Sequence, residues 1–295
     1  MLKAIAHLRN VKGVPRLAAR LLEFALFITR GHFLPKESYL MLAGLYNDIG
    51  ETKKALRVFE RAARKTKSAS DELLYADILR KWGYVLLHAR ADGVHAYEKI
   101  DEAIRVITRL LSIKESREAK PVLCVAANCY AALGNYWCSR SPSEAKNCYN
   151  QALDFATRGN FPERVITLKA DLGTIAIGEE NWHEADRLLR EALSDAWSYY
   201  QHAVPSSLVR LGHLYMEKKN PNCDFKKSEG FILESLRVAK KSGWRREQGD
   251  AFRALGKLAE VQGNKAGAEV AFNHANGIYD SIGYAGDRAS LTESS

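Results

Sequence analysis

The chain has 295 residues, 46% hydrophobic and 27% charged, with only 7 prolines and a formal net charge of +9. This is the composition of a globular, helix-forming chain, and it excludes collagen-like and low-complexity classes. The longest apolar run near the N-terminus, Leu21 to Ile28, is interrupted by Glu23 and is far shorter than the ~20 residues that span a bilayer.

The first segment, residues 1–34, carries much of the charge excess. Lys3, Arg9, Lys12, Arg16, Arg20 and Arg30 face only Glu23. No apolar block leading to a small-residue cleavage site opens the chain, which argues against a secretory signal. Three readings of the segment stand side by side. It is a capping helix with Leu22, Phe24, Phe27 and Phe33 buried on the first helix pair; it is an Arg-rich, acid-poor mitochondrial targeting segment; or it is a helix that contacts a membrane surface or a partner.

From residue 37 onward the apolar residues keep a helical period, with helix pairs expected at 37–49 and 52–67, 71–90 and 96–113, 116–134 and 141–158, 162–178 and 181–203, 205–218 and 224–242, and 244–263 and 265–283. The turns are marked by "ADGVH", "SRSPSE", "GEEN" and "KKNPNCD". Gly50 suits a helix end, and Thr52 is the expected N-cap of the next helix. Residues 287–295, ending "LTESS", read as a disordered polar tail.

The pairs repeat one another. Leu42, Ala43, Tyr46, Gly50, Ala55, Phe59 and Ala62 recur as Leu255, Gly256, Ala259, Gly263, Ala268, Phe272 and Ala275. The same frame fits Leu172, Gly173 and Ala176 with Ala185, Leu189 and Ala192; Trp82, Gly83 and Leu86 with Ala103, Ile107 and Leu110; Ala126, Ala127 and Tyr130 with Ala145, Tyr149 and Ala152; and Leu211, Gly212 and Tyr215 with Ser228, Ile232 and Ser235. Small residues at fixed offsets let paired helices approach, with Gly173 expected to face Ala185. A unit that cannot bury both faces must stack on its neighbours.

The units recur about every 39 to 46 residues, and a period of this size with this alternation resembles the tetratricopeptide repeat over residues 35–286. The resemblance implies an all-α fold, a right-handed superhelical solenoid of about six helix pairs. The long repeats are similar to the helical sensor domains of bacterial signal-transduction ATPases, although neither the ATPase nor the DNA-binding domain of those proteins is found in this sequence.

Tests for chemistry fail one after another. Gly256-Lys257 lacks the Ser or Thr and the earlier Gly of a phosphate loop. His183-Glu184 begins a zinc-protease motif whose second His is replaced by Arg187. Cys124, Cys129, Cys138 and Cys148 lack the short spacings that let two thiolates reach one zinc ion, and read as buried structural residues. Cys223, in a turn, reads as exposed. An odd number of irregularly spaced cysteines, 5 in all, points to a reducing compartment. The expected location is the cytoplasm, with the mitochondrion as the alternative. No catalytic residues, cofactor or metal are expected, and no oligomerisation signal stands out.

The resemblance also implies a ligand-facing row on the first helix of each pair, at the second, fifth, ninth and twelfth repeat positions. The ninth position is held in turn by Gly44, Tyr84, Asn128, Thr174, His213 and Lys257. From this row Arg80, Tyr84, Asn128, Thr174, His213 and Arg253 are the candidate contact residues. Arg80 and Tyr84 lie one turn apart, so a guanidinium and an aromatic face share one space, a combination common in binding hot spots. The Lys and Asn pairing of chaperone-carboxylate clamps is absent, since Cys124 and Asn128 are the nearest match. The mixture of Ile177, Val209 and Met216 with Asn128 and Thr174 suits a peptide or partner helix rather than a nucleic acid. The sequence therefore reads as a non-enzymatic interaction scaffold or adaptor that holds a protein segment in its groove. The alternative is a regulatory sensor that binds a signal peptide or small molecule and controls transcription.

Overall fold

In the computed structural model the described residues are 15–28, 37–68, 71–88, 93–113 and 119–282. Residues 1–14 and Phe33, from the basic N-terminal segment, and the expected tail 287–295 lie outside them. The described residues form thirteen α-helices, one short 3-10 turn and no strand. The fold is an all-α, tetratricopeptide-like solenoid of consecutive helix pairs. The chain divides into two compact units, Met1–Tyr136 with Asp280–Ser295, and Trp137–Tyr279.

The first unit contains α1 (Pro15–Ile28), α2 (Glu37–Asp48), α3 (Thr52–Ser68), α4 (Glu72–His88), α5 (Gly93–Ser112) and α6 (Lys120–Trp137). Helix α1 packs on α2, with Ala18, Ala19 and Leu22 buried in one core with Tyr39, Leu45, Tyr46 and Phe59. The expected burial of Phe24 and Phe27 is wrong: they are 64% and 81% exposed, alongside exposed Leu17 and Leu21. The helix is apolar on two faces, and the face bearing two alanines is the one that can approach α2 closely. The turn after α2 needs a left-handed residue, supplied by Gly50 at φ 80°. Thr52 is not the cap. The Glu51 carbonyl already accepts from the N–H groups of Lys54 and Ala55, so Thr52 is the first helical residue.

The second unit runs through α7 (Pro142–Arg158), α8 (Pro162–Gly178), α9 (Trp182–Tyr199), α10 (Val204–Met216), α11 (Phe225–Lys241), α12 (Arg245–Val261) and α13 (Lys265–Ile282). Prolines at the first turn start α7 and α8, where a missing N–H costs no helical bond. Side chains cap two others: Asn181 accepts from the Glu184 N–H at the start of α9, and Asp224 from the Lys227 N–H at the start of α11. The expected single helix over 181–203 ends at Tyr199, and a 3-10 turn at Gln201–Ala203 leads into α10.

Each pair closes on a small residue. A Cβ at Gly83 would stand 2.6 Å from the Ile100 side chain, one at Gly173 2.8 Å from Leu189, one at Gly212 2.6 Å from Ile232 and one at Gly256 2.5 Å from Phe272. Gly212 and Gly256 meet the residues the repeat frame gives them. Gly173 likewise meets the frame's Leu189; the expected facing of Ala185 does not hold, since the nearest neighbours of Gly173 are Leu189 and Leu188, although Ala185 is fully buried in the same core. Gly83 meets Ile100 and the Ala96 carbonyl, so the frame that paired it with Ala103 and Ile107 is displaced by seven residues.

Candidate functional site

The six candidate contact residues fall in both units, and each unit's face is described on its own. In the first unit Arg80 does not present a free fork. Its Nε and Nη2 donate to Asp77 Oδ1 at 3.0 and 2.6 Å, Lys81 lies 3.3 Å from the other carboxylate oxygen, and the Arg80 side chain is 14% exposed. Burial pushes the Asp77 carboxyl up, but the charges and hydrogen bonds of Arg80 and Lys81 outweigh it and hold the group below its ordinary range. Tyr84, one turn on, is exposed. The same pair reaches α6 electrostatically: Arg80 and Asp77 act in opposite senses on Cys129, whose thiol is pushed up to about 12 by burial. Beside Cys129, the Asn128 amide donates to Cys124 Sγ at 3.7 Å, while its Oδ1 is buried without a hydrogen-bond partner.

In the second unit, α8, α10 and α12 bring Thr174, His213 and Arg253 into one neighbourhood. Helix α10 packs against both α8 and α12. The residue that ties them is Arg210, which the row of candidate positions missed by one place. Its Nη1 donates to Thr174 Oγ1 at 2.8 Å, and its Nη2 to Asp171 Oδ1 at 2.7 Å. Asp171 and Arg210 hold the same position in successive repeats, so opposite charges at one repeat offset were the signal that could have found them. His213 is half-buried, and its Nε2 is shut off from solvent with no hydrogen-bond partner. Burial, followed by the charges of Lys257, Arg210 and Arg253, lowers the ring from 6.5 to about 4. His213 is therefore a neutral imidazole at neutral pH.

The cysteine expectations divide. Cys129 and Cys148 are buried, Cys124 is half-buried and Cys138 is exposed, with its Sγ 3.2 Å from the Tyr149 hydroxyl; Cys223 is half-buried, not exposed. Among the described residues no three His, Cys, Asp or Glu side chains gather as a metal-holding group, and no helix is long and apolar enough to cross a membrane. Two clefts in the second unit lie off the candidate row. One of about 510 Å³ is lined by Phe252, Leu255, Val270 and His274, and one of about 430 Å³ by Trp182, Tyr215 and Asn220.

No protein-family model and no curated protein matches the chain. Its structure is similar to that of a Rap protein complexed with Competence and Sporulation Factor, with a TM-score of 0.66 and 12% identity over 91% of this chain and 71% of that one. It is similar to the apo form of RapI, with a TM-score of 0.58 and 13% identity over 84% of this chain and 99% of that one. It is also similar to a signal transduction ATPase with a tetratricopeptide repeat sensor from Pyrococcus horikoshii, with a TM-score of 0.53 and 14% identity over 90% of this chain and 39% of that one. At these identities the likeness is one of fold.

Proposed function

We propose that the protein is a non-enzymatic interaction scaffold that holds a peptide or protein segment along the first-helix faces of its repeats. One observation carries this reading. The ninth repeat position, on the row expected to face a ligand, leaves a buried polar atom without a partner in each unit: Asn128 Oδ1 in the first and His213 Nε2 in the second. An unsatisfied buried polar atom costs about 1–3 kcal/mol, and a bound segment's amide, carbonyl or acidic groups would remove that cost. Tyr84, exposed at the same position of another repeat, offers an aromatic anchor. Arg80 supports this face by closing on Asp77 and does not supply the bidentate contact itself. The complex of a similarly folded Rap protein with Competence and Sporulation Factor agrees with such a use of the scaffold.

The test is to capture a partner with the full chain, map the bound segment, and titrate that segment calorimetrically against the wild-type protein and a Tyr84→Ala/Asn128→Ala variant. The variant is expected to melt normally and to bind more weakly by about 2 kcal/mol, the scale of a hot-spot residue. Undiminished binding would move the site to another face.

A further inference from the structure

Helix α1 is held by one face and bare on the other. Ala18, Ala19 and Leu22 are buried in the core shared with α2, whereas Leu17 and Leu21 are 49% and 45% exposed and Phe24 and Phe27 more so. Leu17, Leu21 and Phe24 fall at i, i+4 and i+7, one stripe of the helix, and Phe27 extends it by a turn. Arg20 is exposed at the edge of this stripe, and the only acid of the helix is Glu23. The place of α1 in the fold sets the stripe beside a second feature. Along the solenoid a first helix packs on the second helix of its own pair and on that of the pair before, as α4 does on α5 and α3, and α10 on α11 and α9. Helix α1 packs on α2 and so takes the place of a second helix from a preceding pair. It therefore flanks α2 in the same layer as α3, away from the row expected to face a ligand. On α3 the solvent face is a row of cations. Lys53, Arg57 and Arg61 stand at successive i, i+4 positions, Arg64 follows one turn on, and all four are exposed. The only acid of α3 is Glu60, 3.7 Å from Arg64, and Glu51 lies 3.5 Å from Lys54. Lys53, Arg57 and Arg61 make no ion pair among the described residues.

We propose that α1 and α3 form a docking surface for a membrane leaflet rich in anionic lipid. Leu17, Leu21, Phe24 and Phe27 enter the boundary between headgroups and acyl chains, and Arg20, Lys53, Arg57 and Arg61 hold the negative headgroups beside them. An interfacial helix draws its binding from both sources, burial of apolar area and attraction to anionic lipid. A helix already locked to a folded core by its other face loses little freedom on docking. A nucleic acid would answer the cations but leave the four apolar side chains in water. A second copy would cover the stripe, but two such stripes bury only on the order of 1,000 Å², short of the ~1,200–2,000 Å² of a stable interface, and carry like charges at their edges. The first-helix row stays free for a peptide, so this surface stands or falls independently of that reading.

The test uses the full chain and sedimentation with unilamellar vesicles, made of phosphatidylcholine alone or with about one-third phosphatidylserine, at about 0.1 M salt. The protein is expected to bind the phosphatidylserine vesicles at least about tenfold more tightly than the neutral ones, and this preference is expected to shrink as salt rises. Phe24→Ser/Phe27→Ser and Lys53→Gln/Arg57→Gln/Arg61→Gln are each expected to weaken binding to the phosphatidylserine vesicles at least about tenfold. Both should leave the melting temperature unchanged, because the altered side chains are exposed. Val270→Ser, at an exposed apolar side chain of the second unit, is expected to bind as the wild type does. Absence of vesicle binding, equal binding to the two compositions, or binding that survives either of the first two variants overturns the membrane surface. Self-association in analytical ultracentrifugation that vesicles do not reverse and Phe24→Ser/Phe27→Ser abolishes overturns it in favour of a second copy. Tighter binding of duplex DNA or polyglutamate than of the vesicles, lost in the cation variant, overturns it in favour of that polymer.

Discussion

Arg80 in the first unit and Arg210 in the second each bind an aspartate, and the two pairs are built differently. Asp77 lies three residues before Arg80 on the same helix, so the pair forms within one helix and closes on itself at 2.6 Å. Asp171 lies on α8 and Arg210 on α10, so the bond of 2.7 Å joins two successive repeats. The local pair is the more buried and, with Lys81 beside it, consumes the charge it brings. The pair between repeats is more open, with the Arg210 side chain 29% exposed, and Arg210 also reaches Thr174 and acts on the His213 ring. The same ingredients thus give a supporting strut in one unit and a tie between repeats in the other.

Removing the acid from each pair gives the largest expected contrast. Asp77→Ala strands Arg80 with 14% of its side chain exposed, and should lower unfolding free energy by about 3 kcal/mol in urea denaturation. Asp171→Ala frees a more exposed arginine and should cost about 1 kcal/mol. Equal losses would break the comparison.

Acid titration separates the two faces almost as strongly. The folded protein holds His213 at about 4 against 6.5 unfolded, so folding favours the neutral ring. Its contribution is complete above pH 6.5 and is lost as pH falls towards 4, by an amount on the order of 3 kcal/mol. Asp77, held below its ordinary 3.8, stays ionised through that window. Urea midpoints measured across it should fall for wild-type protein and change much less for His213→Gln.

The seams should behave alike where the faces differ. Gly83→Ala and Gly173→Ala each push a Cβ into a neighbour at 2.6 and 2.8 Å, and should each cost about 1–3 kcal/mol in a thermal melt. A large difference between them would place the asymmetry in the packing and not in the charges. Lys257→Gln has the smallest expected effect, within about 0.5 kcal/mol at neutral pH for an exposed residue. By removing a cation it should raise the His213 pKa and so shrink the acid loss, which the same denaturation series would detect.

Much of the fold was legible in the sequence, because small and large residues at fixed offsets specify helix pairs. The second pair shows where legibility stopped. Ala96 and Ile100 are followed seven residues later by Ala103 and Ile107, and all four are fully buried. Periodicity cannot choose between two identical faces one heptad apart; contact with Gly83 does. Helix α1 posed a similar ambiguity, with apolar residues on two faces and only one of them packed. Asp77 beside Arg80 was readable as a helical neighbour. The field around His213 was harder to see, because its cations come from α10 and α12 and its missing partner is a property of three-dimensional burial.

At Gly173 and Gly256 the absent Cβ is matched to one large side chain across the seam, Leu189 and Phe272. Neither member of such a couple can change size alone without a clash or a void. Growth at the glycine has to be accompanied by shrinkage opposite, so neutral drift along the seams proceeds in coordinated steps. A Gly173→Ala/Leu189→Val double substitution should recover part of what Gly173→Ala loses. The exposed first-helix positions carry no such tie and can be exchanged singly. A library that randomises those positions while holding the seam couples fixed would therefore sample new binding specificities on a scaffold that still folds.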